Sequence, residues 1–176
     1  MRTLTVVIAL LAMVSTTAVA QDGRPLELGI DAGVTFGLDD PNVTRVSIPV
    51  EAFRIGFFMT DRVSLEPAFS LQSISADDND FTTYLVELGL LWHMRAMRSG
   101  AYVRPFMGVV GFSEDVGGED DSESQFFAGA GVGLKIPIQD RLAWRLEANF
   151  AHAFESGDTE GGSQIGLRVG LSFFTQ

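Results

Sequence analysis

The period of two in its hydrophobic pattern constrains this chain more than any other feature. From residue 26 onward, apolar side chains recur at every second position of successive segments, and the positions between them favour glycine, hydroxyl or charged residues. Successive side chains of a β-strand point to opposite faces, so this alternation predicts strands with one apolar face. The first segment shows it over six consecutive pairs, whose apolar members are Leu26, Leu28, Ile30, Ala32, Val34 and Phe36.

Eight segments of this kind succeed one another, and no part of the chain after residue 20 has the ~3.6-residue period of a helix. The sequence therefore predicts an all-β fold of eight strands. They occupy about residues 26–37, 43–58, 62–75, 84–95, 101–112, 127–136, 142–150 and 165–174.

Two segments depart from simple alternation. In the second, the apolar phase changes parity after Ala52, which predicts a β-bulge near Ala52 and Phe53. In the fifth, bulky apolar residues such as Phe106 and Met107 occupy both faces, beside Arg104. The pattern there predicts a strand but leaves open which face points inward.

The connections differ at the two ends of the strands. Acidic linkers follow the odd-numbered segments, and short turns follow the even-numbered ones. An up-and-down arrangement of antiparallel strands therefore collects all the acidic linkers at one end. The linkers are residues 38–42, 76–80, 113–125 and 155–163, and the turns lie near residues 59–61, 96–100 and 138–141.

The first twenty residues have the features of a secretory signal peptide. Arg2 supplies the positive start, residues 4–14 form a short apolar run, and Ala18 and Ala20 place small residues at the cleavage site. The apolar run is shorter than the ~20 residues that a membrane-spanning helix needs. We expect residues 1–20 to be a signal peptide and residues 21–176 to form one β-barrel domain.

The expected mature chain is strongly acidic and has no cysteine. Without Arg2, eleven basic residues stand against 23 acidic ones, a net charge of −12, and Lys135 is the only lysine. Binding to nucleic acid needs clustered basic residues for the phosphates, so we expect no nucleic-acid partner. Without disulfides, the fold must be held by packing and by backbone hydrogen bonds.

One apolar and one polar phase fit either a soluble barrel with an apolar interior or a membrane barrel with an apolar exterior. The apolar phase carries essentially no charge, as lipid requires, whereas the polar phase collects glycines and charges of both signs, as a narrow lumen requires. We therefore predict an eight-stranded antiparallel up-and-down transmembrane β-barrel. Aromatic residues that fit the two bilayer interfaces are Trp92, Trp144 and Phe173 at the short-turn end and Phe36, Tyr84 and Phe154 at the acidic end.

The charges of the polar phase predict ion pairs inside the barrel. A charge that is buried in a narrow lumen is expensive unless an opposite charge compensates it. We predict lumen ion pairs drawn from Glu66, Glu87, Arg104, Arg145, Glu147 and Arg168.

The eight amphipathic segments, with a closing strand at residues 165–174, resemble the small outer-membrane β-barrels of the OmpA/OmpX type. The resemblance covers nearly the whole mature chain and implies the cell outer membrane of a Gram-negative bacterium. It also implies the barrel assembly machinery as a partner, which recognises a terminal aromatic residue in this family; here Phe173 and Phe174 precede Thr175 and Gln176. We expect a monomer in contact with outer-membrane lipid and lipopolysaccharide.

Residues that could carry catalysis are few. The two histidines have no cysteine partner, which excludes zinc sites of the Cys/His type. His93 lies on the polar phase, where we expect a lumen hydrogen bond. His152 lies on the apolar phase, and some outer-membrane barrels deacylate lipid A with a lipid-facing histidine and a serine two residues away. Here that position is Phe154, so we expect no catalytic site, no cofactor and no enzymatic activity.

The acidic linkers supply hard oxygen ligands of the kind that Ca²⁺ uses, without the spacing of an EF-hand loop. They are weak candidates for metal binding, because a solvated and mobile loop rim accounts for them better. The candidates are Asp77, Asp78, Asp80, Glu119, Asp120 and Asp121.

An eight-stranded barrel has an interior that side chains just fill. We therefore expect a structural or surface-interaction protein with acidic extracellular loops and a filled polar lumen. A narrow channel for ions or small solutes is the alternative, and a soluble lipocalin-like ligand-binding barrel is a further one. An even number of strands leaves both termini on one side, and we expect that side, with the short turns, to face the periplasm.

Overall fold

The computed structural model describes residues 24–39, 44–76, 79–95, 98–116, 119–157 and 159–175. Within these ranges no helix is long and apolar enough to cross a membrane. The predicted signal peptide lies outside them. The strands are β1 (Leu26–Gly37), β2 (Thr44–Phe58), β3 (Val63–Ala76), β4 (Asn79–His93), β5 (Gly100–Val116), β6 (Glu119–Gln139), β7 (Leu142–Ala153) and β8 (Gly162–Phe174).

Each strand pairs with its neighbours in sequence, and β1 pairs antiparallel with β8, which closes the barrel. Closure leaves no edge strand in the barrel, so each strand has a hydrogen-bonded neighbour on both sides. The predicted fold, an eight-stranded antiparallel up-and-down barrel, is confirmed.

Side chains alternate between an exposed outer face and a buried inner face. On β7, for example, Trp144 is 46% exposed and the next residue, Arg145, is 2% exposed. Large hydrophobic residues are exposed on the outer face of every strand. This is the inverse of a soluble barrel, whose apolar residues point inward, and it matches a barrel surrounded by lipid.

The structure decides the facing of β5, which the sequence left open. Tyr102 and Arg104 are each 1% exposed, and Phe106 is also buried, whereas Met107 and Val109 are exposed. The phase that holds the arginine therefore points into the lumen. The rings of Tyr102 and Phe106 on this phase fill the interior instead of contacting lipid.

The expected change of phase in β2 is present, slightly earlier than predicted. Asp31 of β1 pairs with Ala52, but Gly33, two residues further, pairs with Ser47. Ala32 of β1 therefore lies opposite four residues of β2, 48–51. This irregularity lies directly before the bulge that was predicted at Ala52 and Phe53. From Ala52 onward, even-numbered residues such as Arg54 point inward.

Two of the predicted acidic linkers are largely strand, which corrects the sequence analysis. The described residues of these two linkers, 76, 79–80, 113–116 and 119–125, continue the ladders of β3–β4 and β5–β6, up to the pairs Ala76 with Asn79 and Val116 with Glu119. The hydrophobic pattern missed them because a ladder of backbone hydrogen bonds needs no apolar face where both faces meet water. The other two linkers, at residues 38–42 and 155–163, lie between strands as predicted.

The extended ladders form a wall that rises beyond the rest of the barrel, and we call residues 73–76, 79–82, 112–116 and 119–126 the acidic wall. The pairing of β6 with β7 ends at Phe127 and Ala153, so β6 extends past it by residues 119–126. At ~3.3 Å per residue, these eight residues add roughly 26 Å of strand. The opposite side, formed by the ends of β7, β8, β1 and β2, has no such extension.

Candidate functional site: the charged lumen and the acidic wall

The inward phase of the barrel gathers ten described charged residues into one lumen. Five are acidic and five are basic, so their formal charges cancel. Nine are buried, and the side chain of Arg168 is 11% exposed. The ten are Glu27, Asp31, Arg54, Glu66, Glu87, Arg104, Lys135, Arg145, Glu147 and Arg168.

Arg54 of β2 organises one side of this lumen. Its Nε donates to Asp31 Oδ2 at 2.7 Å, and its Nη1 donates to Glu27 Oε1 at 3.1 Å. The second oxygen of Glu27 accepts a hydrogen bond from Lys135 Nζ. Gly29 lies between the two carboxylates on β1, and a side chain there would collide with the Arg54 guanidinium. The glycine therefore makes room for the arginine.

Arg145 of β7 organises the opposite side. Its Nη1 donates to Glu66 Oε2 at 2.5 Å, and its Nη2 donates to Glu147 Oε2 at 2.7 Å. Its Nε donates to the hydroxyl of Tyr102 at 2.6 Å, which in turn donates to Glu147 Oε2 at 2.8 Å. Three donors of one guanidinium thus have acceptors, as a buried arginine requires.

Arg104 and Arg168 complete the network. Nη1 of Arg104 is 2.6 Å from Glu87 Oε1, and its Nη2 is 2.8 Å from Glu147 Oε1. Nη1 of Arg168 is 3.2 Å from Glu87 Oε1. The structure therefore places all six residues of the predicted lumen set in one connected group of contacts.

Five members of the network were not in the predicted set. Four of them lie on the same polar phase and could have been found by taking every charge on that phase, not only those near strand centres. The fifth, Tyr102, lies on the strand whose facing the sequence left open. The five are Glu27, Asp31, Arg54, Lys135 and Tyr102.

Several ion pairs cross the full width of the lumen. Glu66 and Arg145 belong to β3 and β7, and Glu87 and Arg168 belong to β4 and β8. Strands four places apart in a ring of eight lie opposite each other. These side chains therefore meet at the barrel axis, and the charged layer fills the cross-section at that height.

Apolar layers lie on both sides of the charged layer. One packs at the short-turn end and the other nearer the acidic wall, and each contains two phenylalanines and an alanine. Burial among apolar groups strengthens the ion pairs between the layers, because the local dielectric is low. The first layer is Phe58, Ala143 and Phe174, and the second is Phe106, Phe127 and Ala151.

A small cavity of about 190 Å³ lies beside the second apolar layer, inside the end of the barrel that carries the acidic wall. It reaches down to Glu87 and Arg168, and side-chain amides form much of its polar lining. Gln125 ties the β7–β8 connection to its wall, because its Nε2 donates to the carbonyl oxygen of Glu160 at 2.9 Å. Glu87 and Arg168 of the charged layer line the inner part of the cavity. Its amide side chains are Gln72, Gln125, Asn149 and Gln164.

The candidate metal ligands are distributed along the acidic wall. Asp77 and Asp78 lie outside the described residues, and the side chains of the other four are not described. The strand register places Asp115 opposite both Asp80 and Asp120, in a row of three acidic positions across β4, β5 and β6. Among the side chains that the structure describes, no group of three His, Asp or Glu residues could hold a metal ion.

The two histidines have separate surroundings. Nε2 of His93 is 3.1 Å from Ser64 Oγ inside the lumen. Nδ1 of His152 is 3.0 Å from Ser163 Oγ, which lies directly opposite on β8. Spacing along one strand does not reveal this serine, because strand pairing brings it to His152 from eleven residues away. The other described contact of His152 is edge-to-face packing with Phe154.

Comparison with known proteins identifies the family. Residues 6–173 match the model of the outer membrane protein beta-barrel domain. The chain belongs to this family. As a member of the outer membrane protein beta-barrel family, it resides in the outer membrane of a Gram-negative bacterium, as the resemblance implied, and the alternative of a soluble lipocalin-like barrel is wrong.

Solved outer-membrane barrels share the fold of this family member. Neisserial surface protein A superposes with a TM-score of 0.60 at 12% identity, covering 86% of this chain and 97% of its own. The N-terminal barrel of OprF from Pseudomonas aeruginosa gives a TM-score of 0.54 at 17% identity, covering 87% and 100%. Ail from Yersinia pestis, solved with the heparin analogue sucrose octasulfate, gives 0.51 at 11% identity, covering 86% and 97%. A search of curated proteins finds no match.

Proposed function

We propose that this barrel is a closed scaffold that presents its acidic wall to the cell exterior for surface interaction. The ion pairs that cross the lumen carry this proposal. A charged layer that fills the cross-section leaves no continuous path for solutes. What remains available for function is the outer end, where strands extend beyond the barrel.

The outer end carries nearly all the excess negative charge. Ten acidic residues lie there among the residues that the structure describes, and Arg45 is the only basic one in that part. So dense a field of one sign attracts cationic partners and steers their approach. The ten are Asp39, Asp80, Glu114, Asp115, Glu119, Asp120, Asp121, Glu123, Glu155 and Glu160.

The partner we propose is a cationic surface. Ail, which has a similar fold, was solved with sucrose octasulfate, a polyanion. The outer end of this chain has the charge that repels polyanions. A basic protein or peptide surface fits it, with an attraction that salt screens.

A matched pair of variants tests the acidic wall. Asp120→Asn/Asp121→Asn and Asp61→Asn/Asp140→Asn each remove two negative charges, the first from the wall and the second from the opposite end. Binding of polylysine to intact cells should weaken for the wall variant, remain unchanged for the other, and fall at high salt for the unmodified protein. Equal binding by both variants would contradict the proposal.

Orientation is tested by two cysteines in a chain that has none. Ser122→Cys lies on the wall and Ser99→Cys at a short turn. A membrane-impermeant maleimide should label the first on intact cells and the second only after the membrane is disrupted. Labelling of Ser99→Cys alone would invert the topology and remove the surface-interaction proposal with it.

We propose no enzymatic activity. The pair of His152 and Ser163 has the elements of a nucleophile and its base, but the described contacts of His152 include no carboxylate that would orient it. A fluorophosphonate probe should therefore leave the protein unlabelled. Labelling that disappears in Ser163→Ala would show the pair to be a catalytic dyad.

A further inference from the structure

The short-turn end carries charge opposite to that of the acidic wall. Five of the ten arginines after residue 20 lie there, and we call them the arginine rim. Two aspartates, Asp61 and Asp140, are the acidic residues among the described positions of this end, so its net charge is +3. Four of the arginines are exposed, and Arg98 is half-buried over the ring of Phe174. The rim is Arg24, Arg62, Arg95, Arg98 and Arg141.

The arginine rim lies just beyond the aromatic belt of the same end. Trp92 and Trp144 are 62% and 46% exposed on the outer face. Arg95 follows the first by three residues, and Arg141 precedes the second by three. At ~3.3 Å per residue and a strand tilt of roughly 40°, the two arginines lie about 8 Å farther along the membrane normal. Interfacial aromatic rings lie at headgroup level, so these guanidinium groups can reach the phosphates.

The exposed arginines of the rim are not engaged in ion pairs. The described salt bridges of this chain involve lumen residues, and none within 4.0 Å includes Arg24, Arg62, Arg95 or Arg141. This contrasts with the lumen, where each guanidinium has a carboxylate partner. The donors of Arg62, Arg95 and Arg141 are therefore available to an external anion.

We propose that the arginine rim binds the phosphate groups of anionic phospholipids in the periplasmic leaflet. A guanidinium presents two parallel N–H donors that match a phosphate, and it holds its charge at any physiological pH. The acidic wall repels the same lipids. The two ends of the barrel thus discriminate between leaflets, and the rim fixes the height of the barrel relative to the phosphate plane.

Spin-labelled lipids test this directly in bilayers that contain the full chain. The unmodified protein should select phosphatidylglycerol over phosphatidylcholine several-fold at low salt and lose the preference at 1 M salt, where the Debye length is about 3 Å. Arg62→Gln/Arg95→Gln/Arg141→Gln should show no preference, because it removes three of the exposed cationic groups that attract anionic lipid. Arg45→Gln, at the opposite end, should retain it.

Single variants at Arg62 and Arg95 cover the case in which the triple variant fails to fold, and each should reduce the preference to a value between that of the unmodified protein and no preference. No selectivity in the unmodified protein would overturn the proposal, as would full selectivity in the triple variant. Selectivity for lipid A that exceeds selectivity for phosphatidylglycerol, and that the triple variant loses, would assign the rim to the outer leaflet instead. The cysteine labelling above tests orientation separately from lipid binding.

Discussion

The lumen and the acidic wall contain the same kinds of carboxylate in opposite circumstances. Inside, five acidic and five basic residues line the lumen, and their charges cancel. Outside, the described residues of the acidic wall include seven acidic residues and no basic one. Inside the barrel, low dielectric makes every unpaired charge costly, so the charges must match. In water an unpaired charge costs little, so the outer end can keep an excess of negative charge for interaction with a partner.

The largest effect is expected from removing one member of the lumen network. Arg145→Leu leaves Glu66 and Glu147 without their closest partner, and an uncompensated buried charge costs about 3–5 kcal/mol. Removal of a single charge from the wall, in Asp121→Asn, should change the free energy of unfolding by less than about 0.5 kcal/mol. Urea unfolding in lipid vesicles measures both, and equal midpoints would contradict the contrast between the two regions.

A smaller effect is expected where a glycine makes space for a buried side chain. At Gly133 a methyl group would collide with the ring of Tyr102 and the carbonyl oxygen of Leu146, so Gly133→Ala should destabilise by about 1–3 kcal/mol. The nearest atom to a methyl group at Gly162 is Asp39 Oδ2 at 3.6 Å, an ordinary contact. Gly162→Ala is therefore the control. The same unfolding experiment compares them, and a more stable Gly133→Ala would show that the lumen is loosely packed.

The smallest effect is expected at the outer end. The hydroxyl of Thr159 donates to Glu123 and joins the β7–β8 connection to β6. Because this hydrogen bond is exposed to water, Thr159→Val should lower the free energy of unfolding by about 0.5 kcal/mol or less. The variant should also increase hydrogen exchange of nearby amides while leaving that of β7 unchanged. A loss of several kcal/mol would mean that the outer end contributes to folding as much as the lumen does.

The sequence predicted most of what the membrane and the lumen impose. Alternation gave eight strands and the inward phase, because lipid on one side and a narrow lumen on the other restrict each position to one kind of residue. The prediction from alternation failed where positions are not restricted to one kind of residue. In β5, aromatic residues suit both a lumen and a bilayer, so the facing of Tyr102 and Phe106 was not decidable. Above the membrane, water surrounds both faces, and the extension of β5 and β6 left no hydrophobic trace.

The composition of the network was also only partly predictable. The polar phase identifies which charges point inward, but strand shear decides which of them meet. Glu66 contacts Arg145 from across the barrel, 79 residues away in sequence. Ser163 reaches His152 through the register of β7 and β8, which the sequence pattern does not specify. Contacts between strands need the register, and the register is known only from the structure.

The closed lumen is tested most directly by conductance across a planar bilayer that contains the unmodified protein. Migration in detergent gels before and after heating first establishes that the inserted protein is folded. We expect no steady open levels, because the ion pairs of Arg145 with Glu66 and of Arg168 with Glu87 span the barrel axis. Steady open levels in the unmodified protein, altered in size by Glu66→Gln or Arg168→Gln, would contradict this expectation and would support a narrow channel instead.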